Sequence, residues 1–351
     1  MQPSKTVIFY LISLIISLFL GCSENQPIEV GELTGKNYVY IINEGTYTWN
    51  NGSVSAYAPE AMEIVQNIFE QANGTKIGDV PQSISFYNNH AYICVNNSKK
   101  IHAVSLPNFK LISTLPNLIS PRYMAINKQG IAYVSDLYDK KITIFDLKTG
   151  TRKGEIITGK TTESLILTGK LLIAGNWSFG NTVQFFDTEM QTKIHEIEVG
   201  LEPNSMVLDK QNKLWVLCSG GFTNTEFPKL YCINIETFAI EKTLIFANKN
   251  SSPTRLCFNN DSSSLMYLNS SVFSYTISTE NLPTAPLING ESRNLYGLAV
   301  CPFTGEIYVS DAKDFVSKSS IYRYSKEGKL IHNFEAGIGA GGFGFYKVSS
   351  E

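Results

Sequence analysis

From residue 37 onward the apolar positions fall into short, nearly continuous runs separated by Asn, Asp, Gly and Ser. Seven of these runs look alike: YVYIIN at 38, HAYICVN at 90, IAYVSD at 131, LLIAGN at 171, LWVLCS at 214, LMYLNS at 265 and EIYVSD at 306. Aligning Tyr40, Tyr92, Tyr133, Leu172, Trp215, Tyr267 and Tyr308 spaces the copies 39 to 52 residues apart. Ahead of most runs stands a shorter apolar segment led by Pro or a polar turn, such as PQSISF at 81, PRYMAI at 121, ESLIL at 163, PNSMVL at 203 and PTRLCF at 253. Turn chemistry (YNNH, NKQG, DKQN) joins the two. A third strand follows, as in KITIFDLKTG and NTVQFFDTEM, and then a looser fourth, as in GEIIT and KLIHNFE. No useful window carries a 3.6-residue period, so helices are not expected. Repeats near forty residues, each of four strands, predict an all-β, seven-bladed β-propeller.

The first run has no strand ahead of it, while Gly337–Lys347 (GIGAGGFGFYK) resembles a first strand with its lead-in turn. The C-terminal strand is therefore expected to close the first blade and remove both sheet edges. The sixth blade, at SSVFSYTISTENLPTAPLING, has the weakest strand signals. The propeller is expected to span 38–351 as one domain.

The start of the chain reads differently. Lys5 precedes the apolar stretch Val7–Leu20, which has the length of a signal-peptide core and is short for a membrane span. Gly21 stands directly before Cys22, as at the lipidation site of bacterial lipoproteins. Residues 1–21 are thus expected to be a lipoprotein signal peptide, and 22–37 a lipidated Cys22 with a flexible polar tether. The chain would be held at the membrane by its lipid anchor only.

Composition narrows the chemistry. With 29 basic and 31 acidic residues, the net charge of −2 argues against nucleic acid as a partner. Cys94, Cys218, Cys232, Cys257 and Cys301 show no CxxC spacing and read as buried free thiols, a Cys218–Cys232 bridge being the minor alternative. His90, His102, His195 and His332 are scattered, so no metal site is expected.

In a propeller the turns entering the first strands and the loops between second and third strands share one face. Here those segments concentrate aromatic and amide residues, whereas the opposite face receives plain turns. The candidate ligand-binding residues are Tyr47, Trp49, Asn50, Arg122, Tyr123, Tyr138, Trp177, Phe179, Asn204, Phe222, Arg255, Asn294, Tyr296, Asp311 and Phe315. Loop rings can also lie down to seal the core, and Arg122 and Arg255 can equally form ion pairs between blades. Aromatic clusters rimmed by polar groups, however, commonly mark binding sites.

Over nearly the whole mature chain the sequence resembles the YncE-like seven-bladed propellers that Bacteroidetes display as surface lipoproteins, and within them the cobalamin-binding BtuG-like group. The resemblance is carried by NEGTYTWNNGSVSAY (Asn43 to Tyr57), the Pro-led first strands and the glycine-rich closing segment. It implies an outer-membrane, cell-surface protein that captures cobalamin as a carried ligand and passes it to a TonB-dependent outer-membrane transporter. A corrin has an apolar rim and an amide fringe, which suits Tyr and Trp beside Asn and Arg. No cofactor acts as catalyst in this reading, and no enzyme activity is expected. Two other readings stay open: a glycan-binding or adhesion propeller, and a lactonase- or lyase-type enzyme. The last needs a general base, and the face offers Glu163 and Asp311 but no His.

Overall fold

The computed structural model describes residues 35–348, so the expected signal peptide, Cys22 and most of the tether lie outside the described residues. The described chain folds into seven antiparallel sheets arranged as a seven-bladed β-propeller. Six sheets have four strands. The sixth blade has three, Thr254–Phe258, Ser264–Leu268 and Val272–Thr276, supplemented by one bridge from Val272 to Ile288. That matches the weak strand signals of this stretch.

Ring closure follows the expected route. Strand Ala340–Lys347 pairs antiparallel with Asn37–Asn43, setting Tyr38 opposite Tyr346 and Tyr40 opposite Gly344. One boundary differs from expectation. Gly337 and Ile338 still belong to the last strand of the seventh blade, Leu330–Ile338, and Gly339 makes the turn with φ +62°. The sequence also hid a short helix, Ile68–Asn73, between the first and second blades. Ile68 and Phe69 pin it to the core, but six residues are too few to display a helical period.

The core is not one mass. It divides into seven clusters, each between two neighbouring blades. Each second strand is buried on both faces, and its alternate side chains serve alternate neighbours. Tyr38, Tyr40 and Ile42 pack toward the second blade, while Val39 and Ile41 pack toward the seventh. This double burial is why those strands read as nearly unbroken apolar runs. The repeat position itself is buried in all seven copies, from Tyr40 at 0 % exposure to Tyr133 at 5 %. Trp215 can sit there because its indole N–H donates to Asp209 at 3.0 Å. Cys94, Cys218, Cys232, Cys257 and Cys301 are free thiols, so the alternative Cys218–Cys232 bridge is not formed.

Candidate functional site

The first strands begin with a local irregularity that aims side chains at the central channel. Ladder register shifts between Pro81 and Ser83, Pro121 and Met124, Pro203 and Ser205, Thr254 and Cys257, and Leu295 and Leu298. A bulge leaves its extra residue outside the ladder and turns it aside. Gln82, Arg122, Asn204, Arg255 and Tyr296 are the residues so released. In the first blade the corresponding place is Gly341, skipped between the pairs Ile42–Gly342 and Asn43–Ala340.

These residues link the blades around the channel. Arg122 donates Nε and Nη2 to the two carboxylate oxygens of Glu163, both at 2.7 Å, and Nη1 to Gln82 Oε1 at 2.5 Å, joining blades two, three and four. Asn204 Nδ2 donates to the Pro253 carbonyl at 2.8 Å, joining five and six. Arg255 Nε donates to the Tyr296 carbonyl at 3.0 Å, and its guanidinium lies 5.0 Å from the Tyr296 ring centre. The Tyr296 hydroxyl donates to Glu44 Oε2 at 2.8 Å, joining seven and one. Gly341 makes that last contact possible, since a Cβ there would stand 2.4 Å from Glu44 Oε1.

Burial sets the electrostatics. Desolvation pushes the Glu44 carboxyl above its ordinary range, against the opposing pull of Arg255 and the Tyr296 hydroxyl. Burial likewise raises the Tyr123 and Tyr296 phenols. For Arg255, burial acts to lower the pKa, but Tyr123, Tyr296 and Glu44 outweigh it and the net shift is upward.

A cavity of about 730 Å³ opens on the channel, walled mainly by blades four to six, with Gln82, Arg122, Tyr123 and Tyr296 reaching in from their neighbours. Of the candidate residues, Arg122, Tyr123, Trp177, Asn204, Phe222, Arg255 and Tyr296 line it. The others stand elsewhere on the same face. Tyr47, Trp49 and Asn50 occupy an exposed loop fastened from below: the Thr48 N–H donates to Asp79 and the Thr46 N–H to Asn51. Tyr138 follows Asp136, whose carboxylate accepts the Tyr138 N–H and thus shapes its loop. Phe179 is the most exposed aromatic side chain among the described residues, at 89 %. Phe315 leans edge-on against Tyr296, 5.0 Å between ring centres. Asp311 and Asn294 are scaffold for the seventh-blade loop. Asp311 accepts the N–H groups of Asn294 and Lys313, and the Asn294 amide donates to the Lys313 carbonyl.

Two positions, one at the channel and one on the cavity wall, were not apparent from sequence. Glu44 lies in the NEG segment, but only its bond to Tyr296 and the approach of Gly341 reveal its place at the channel. Glu202 holds the wall, accepting from Ser219 at 3.1 Å and from the Phe222 N–H at 3.0 Å. Gly180 closes the turn that carries Trp177 and Phe179, its N–H donating to the Trp177 carbonyl at 3.1 Å. The cavity thus presents apolar rings, Trp177 and Phe222, beside hydrogen-bonding groups of Arg122, Asn204, Asn224 and Arg255.

No curated protein matches this sequence. Among solved structures, the chain is similar to a protein from Bacteroides thetaiotaomicron described as quinonprotein alcohol dehydrogenase-like (TM-score 0.69, 16% identity, covering 86% of this chain and 76% of that chain). It is also similar to the hydrazine synthase of Kuenenia stuttgartiensis (0.59, 13%, 74% and 87%) and to the computationally designed Ika8 protein (0.57, 12%, 88% and 96%). At such identities the likeness is one of fold alone. A family model does match, over residues 37–338, and by that match the chain belongs to DUF5074, a domain of unknown function.

Proposed function

We propose that the protein is a capture protein, lipid-anchored at the outer membrane and facing the cell surface, that takes cobalamin on this face and passes it to a TonB-dependent transporter. The observation that carries the proposal is the pairing of the cavity with exposed rings. Tyr47, Trp49, Tyr138, Phe179 and Phe222 are each at least 66 % exposed, all on the face where the cavity opens. Solvent-facing aromatics around a polar-floored depression suit a flat ligand with an apolar body and an amide fringe. The ligand's identity rests on the resemblance to BtuG-like lipoproteins, and within the proposal it is carried rather than transformed. The carboxylates of the channel are already engaged, Glu163 by Arg122 and Glu44 by the Tyr296 hydroxyl.

A glycan is the second reading, favoured by Trp177 and Phe222 lining the cavity together with Asn204 and Asn224. Calorimetric titration of the signal-free protein with cyanocobalamin separates the two. Tight one-to-one binding, weakened ~10-fold or more in the Trp49→Ala, Trp177→Ala double variant, is expected for loss of aromatic anchors. Absence of heat, with no red ligand retained on gel filtration, would refute cobalamin capture and direct the search to glycans.

A further inference from the structure

Arg122 and Arg255 occupy the same bulge position three blades apart, yet their guanidinium groups are used differently. Arg122 has a partner on each nitrogen: Nε and Nη2 meet Glu163, and Nη1 meets Gln82. Arg255 commits only Nε, to the Tyr296 carbonyl. Among the described residues neither of its Nη atoms meets an acceptor, and no carboxylate lies within ion-pair distance of it. The group is nevertheless part of the cavity wall, with one face covered by the Tyr296 ring.

Two further features mark the position. Arg255 has φ +60°, a left-handed backbone that it shares with Glu202 and Phe179 on the same face. Tyr123, in the bulge of the third blade, lines the same cavity; after burial its phenol feels the Glu163 carboxylate most, a charge already neutralised by Arg122, and then Arg255, and no partner for its hydroxyl exists among the described residues. Glu44 is engaged by the Tyr296 hydroxyl and forms no ion pair with Arg255 among the described residues. A partly desolvated cation with open donors on a cavity wall is unfavourable when alone and favourable once an anion arrives.

We infer that Arg255 and the Tyr123 hydroxyl form an oxyanion subsite on the wall of the cavity, taking a phosphate or carboxylate group of the captured ligand. This deepens the proposed function and rests on its reading of the cavity as the ligand site. The Nη pair provides the two-donor fork that such groups accept and Tyr123 adds a third donor; the two carboxylates of the same lining are engaged elsewhere, Glu163 by Arg122 and Glu202 by Ser219 and the Phe222 N–H.

The test uses the signal-free protein and two simple probes, inorganic phosphate and acetate, followed by tryptophan fluorescence because Trp177 lines the same cavity. Saturable binding of at least one probe is expected, the tighter one naming the group. Arg255→Gln should weaken it by ~10- to 100-fold, the usual effect of removing a charged hydrogen-bond donor. Arg255→Lys keeps a charge without the fork and should fall between; it also guards against the case in which Arg255→Gln fails to fold. Tyr123→Phe should cost a further few-fold, on the order of one neutral hydrogen bond. Equal affinity in wild type and Arg255→Gln, or no saturable response to either probe, would overturn the subsite. A parallel cyanocobalamin titration keeps the two ideas apart. Cobalamin binding that neither probe competes would remove the subsite and leave the capture proposal standing. Probe binding through Arg255 without cobalamin binding would do the reverse.

Discussion

Substituting Glu163 by Gln offers a direct measure of how much the channel linkage contributes to stability. The Arg122 and Glu163 side chains are 13% and 7% exposed and share two hydrogen bonds of 2.7 Å. Gln keeps the shape but replaces one accepting oxygen with a donor that would face a donor of Arg122. One charge-assisted bond is lost, a term of about 1.5–3 kcal/mol, and a buried guanidinium is left without its counter-ion, which in full burial costs about 3–5 kcal/mol. Gln82 and the adjoining cavity offset part of this, because water can reach the exposed side of the group. The net expectation for Glu163→Gln is a loss of about 2–3 kcal/mol. Removing both charges with Arg122→Met and Glu163→Leu should return to within about 1 kcal/mol of wild type, since neither ion then needs solvation. Urea unfolding at neutral pH, followed by intrinsic fluorescence, of wild type, Arg122→Met, Glu163→Leu and the double variant gives the coupling, with Glu163→Gln measured alongside. A cost below about 0.5 kcal/mol for Glu163→Gln, or a double variant as unstable as the sum of the singles, would refute the view that this pair is desolvated and coupled.

Gly180→Ala should disturb the turn that carries Trp177 and Phe179, because the new Cβ would sit 2.1 Å from the Asn176 carbonyl oxygen. A loss of about 1–3 kcal/mol is expected in the same unfolding assay, as for other overpacked sites, and a variant as stable as wild type would contradict the observed turn geometry. His102 predicts a pH dependence. It is 5 % exposed, with ring nitrogens bonded to Thr114 Oγ1 and the Ile77 carbonyl; burial, with Lys100 adding to it, lowers its pKa to about 4. An unfolded histidine titrates near ~6.5. Its contribution is therefore complete above that pH and is lost as pH falls toward about 4, by at most ~3 kcal/mol. His102→Gln should flatten this part of the stability profile, and an unchanged slope between these pH values would count against the assignment.

Much of the fold was legible because each second strand is buried on two sides. Tyr40 and Ile41 face different blades and are both apolar, so the run and its tyrosine recur visibly around the ring. The closing strand was readable for a related reason: the first blade lacked a strand and the C-terminus supplied a matching one. The site was legible only as a face. Tyr47 and Arg255 both fall on it, but whether a residue lines the cavity depends on bulges that shift a side chain by one ladder position, and these leave no mark in the local pattern. Arg122 and Arg255 follow similar Pro-led turns, and only the presence of Glu163 beside one of them separates a structural link from an open donor. Glu44 stayed hidden because its meaning depends on Gly341 from the far end of the chain.

That dependence has a temporal consequence. The Glu44 segment is made well before its neighbours Tyr296 and Gly341, which lie in much later strands. Until Ala340–Lys347 docks on Asn37–Asn43, the first blade has no innermost strand and the channel has a gap in its wall. The finished wall is thus a property of the whole polypeptide, and nascent or clipped chains would lack the completed ring of contacts against which a ligand can settle. Closure of the ring therefore waits on the last strand, however early the rest of the first blade is made.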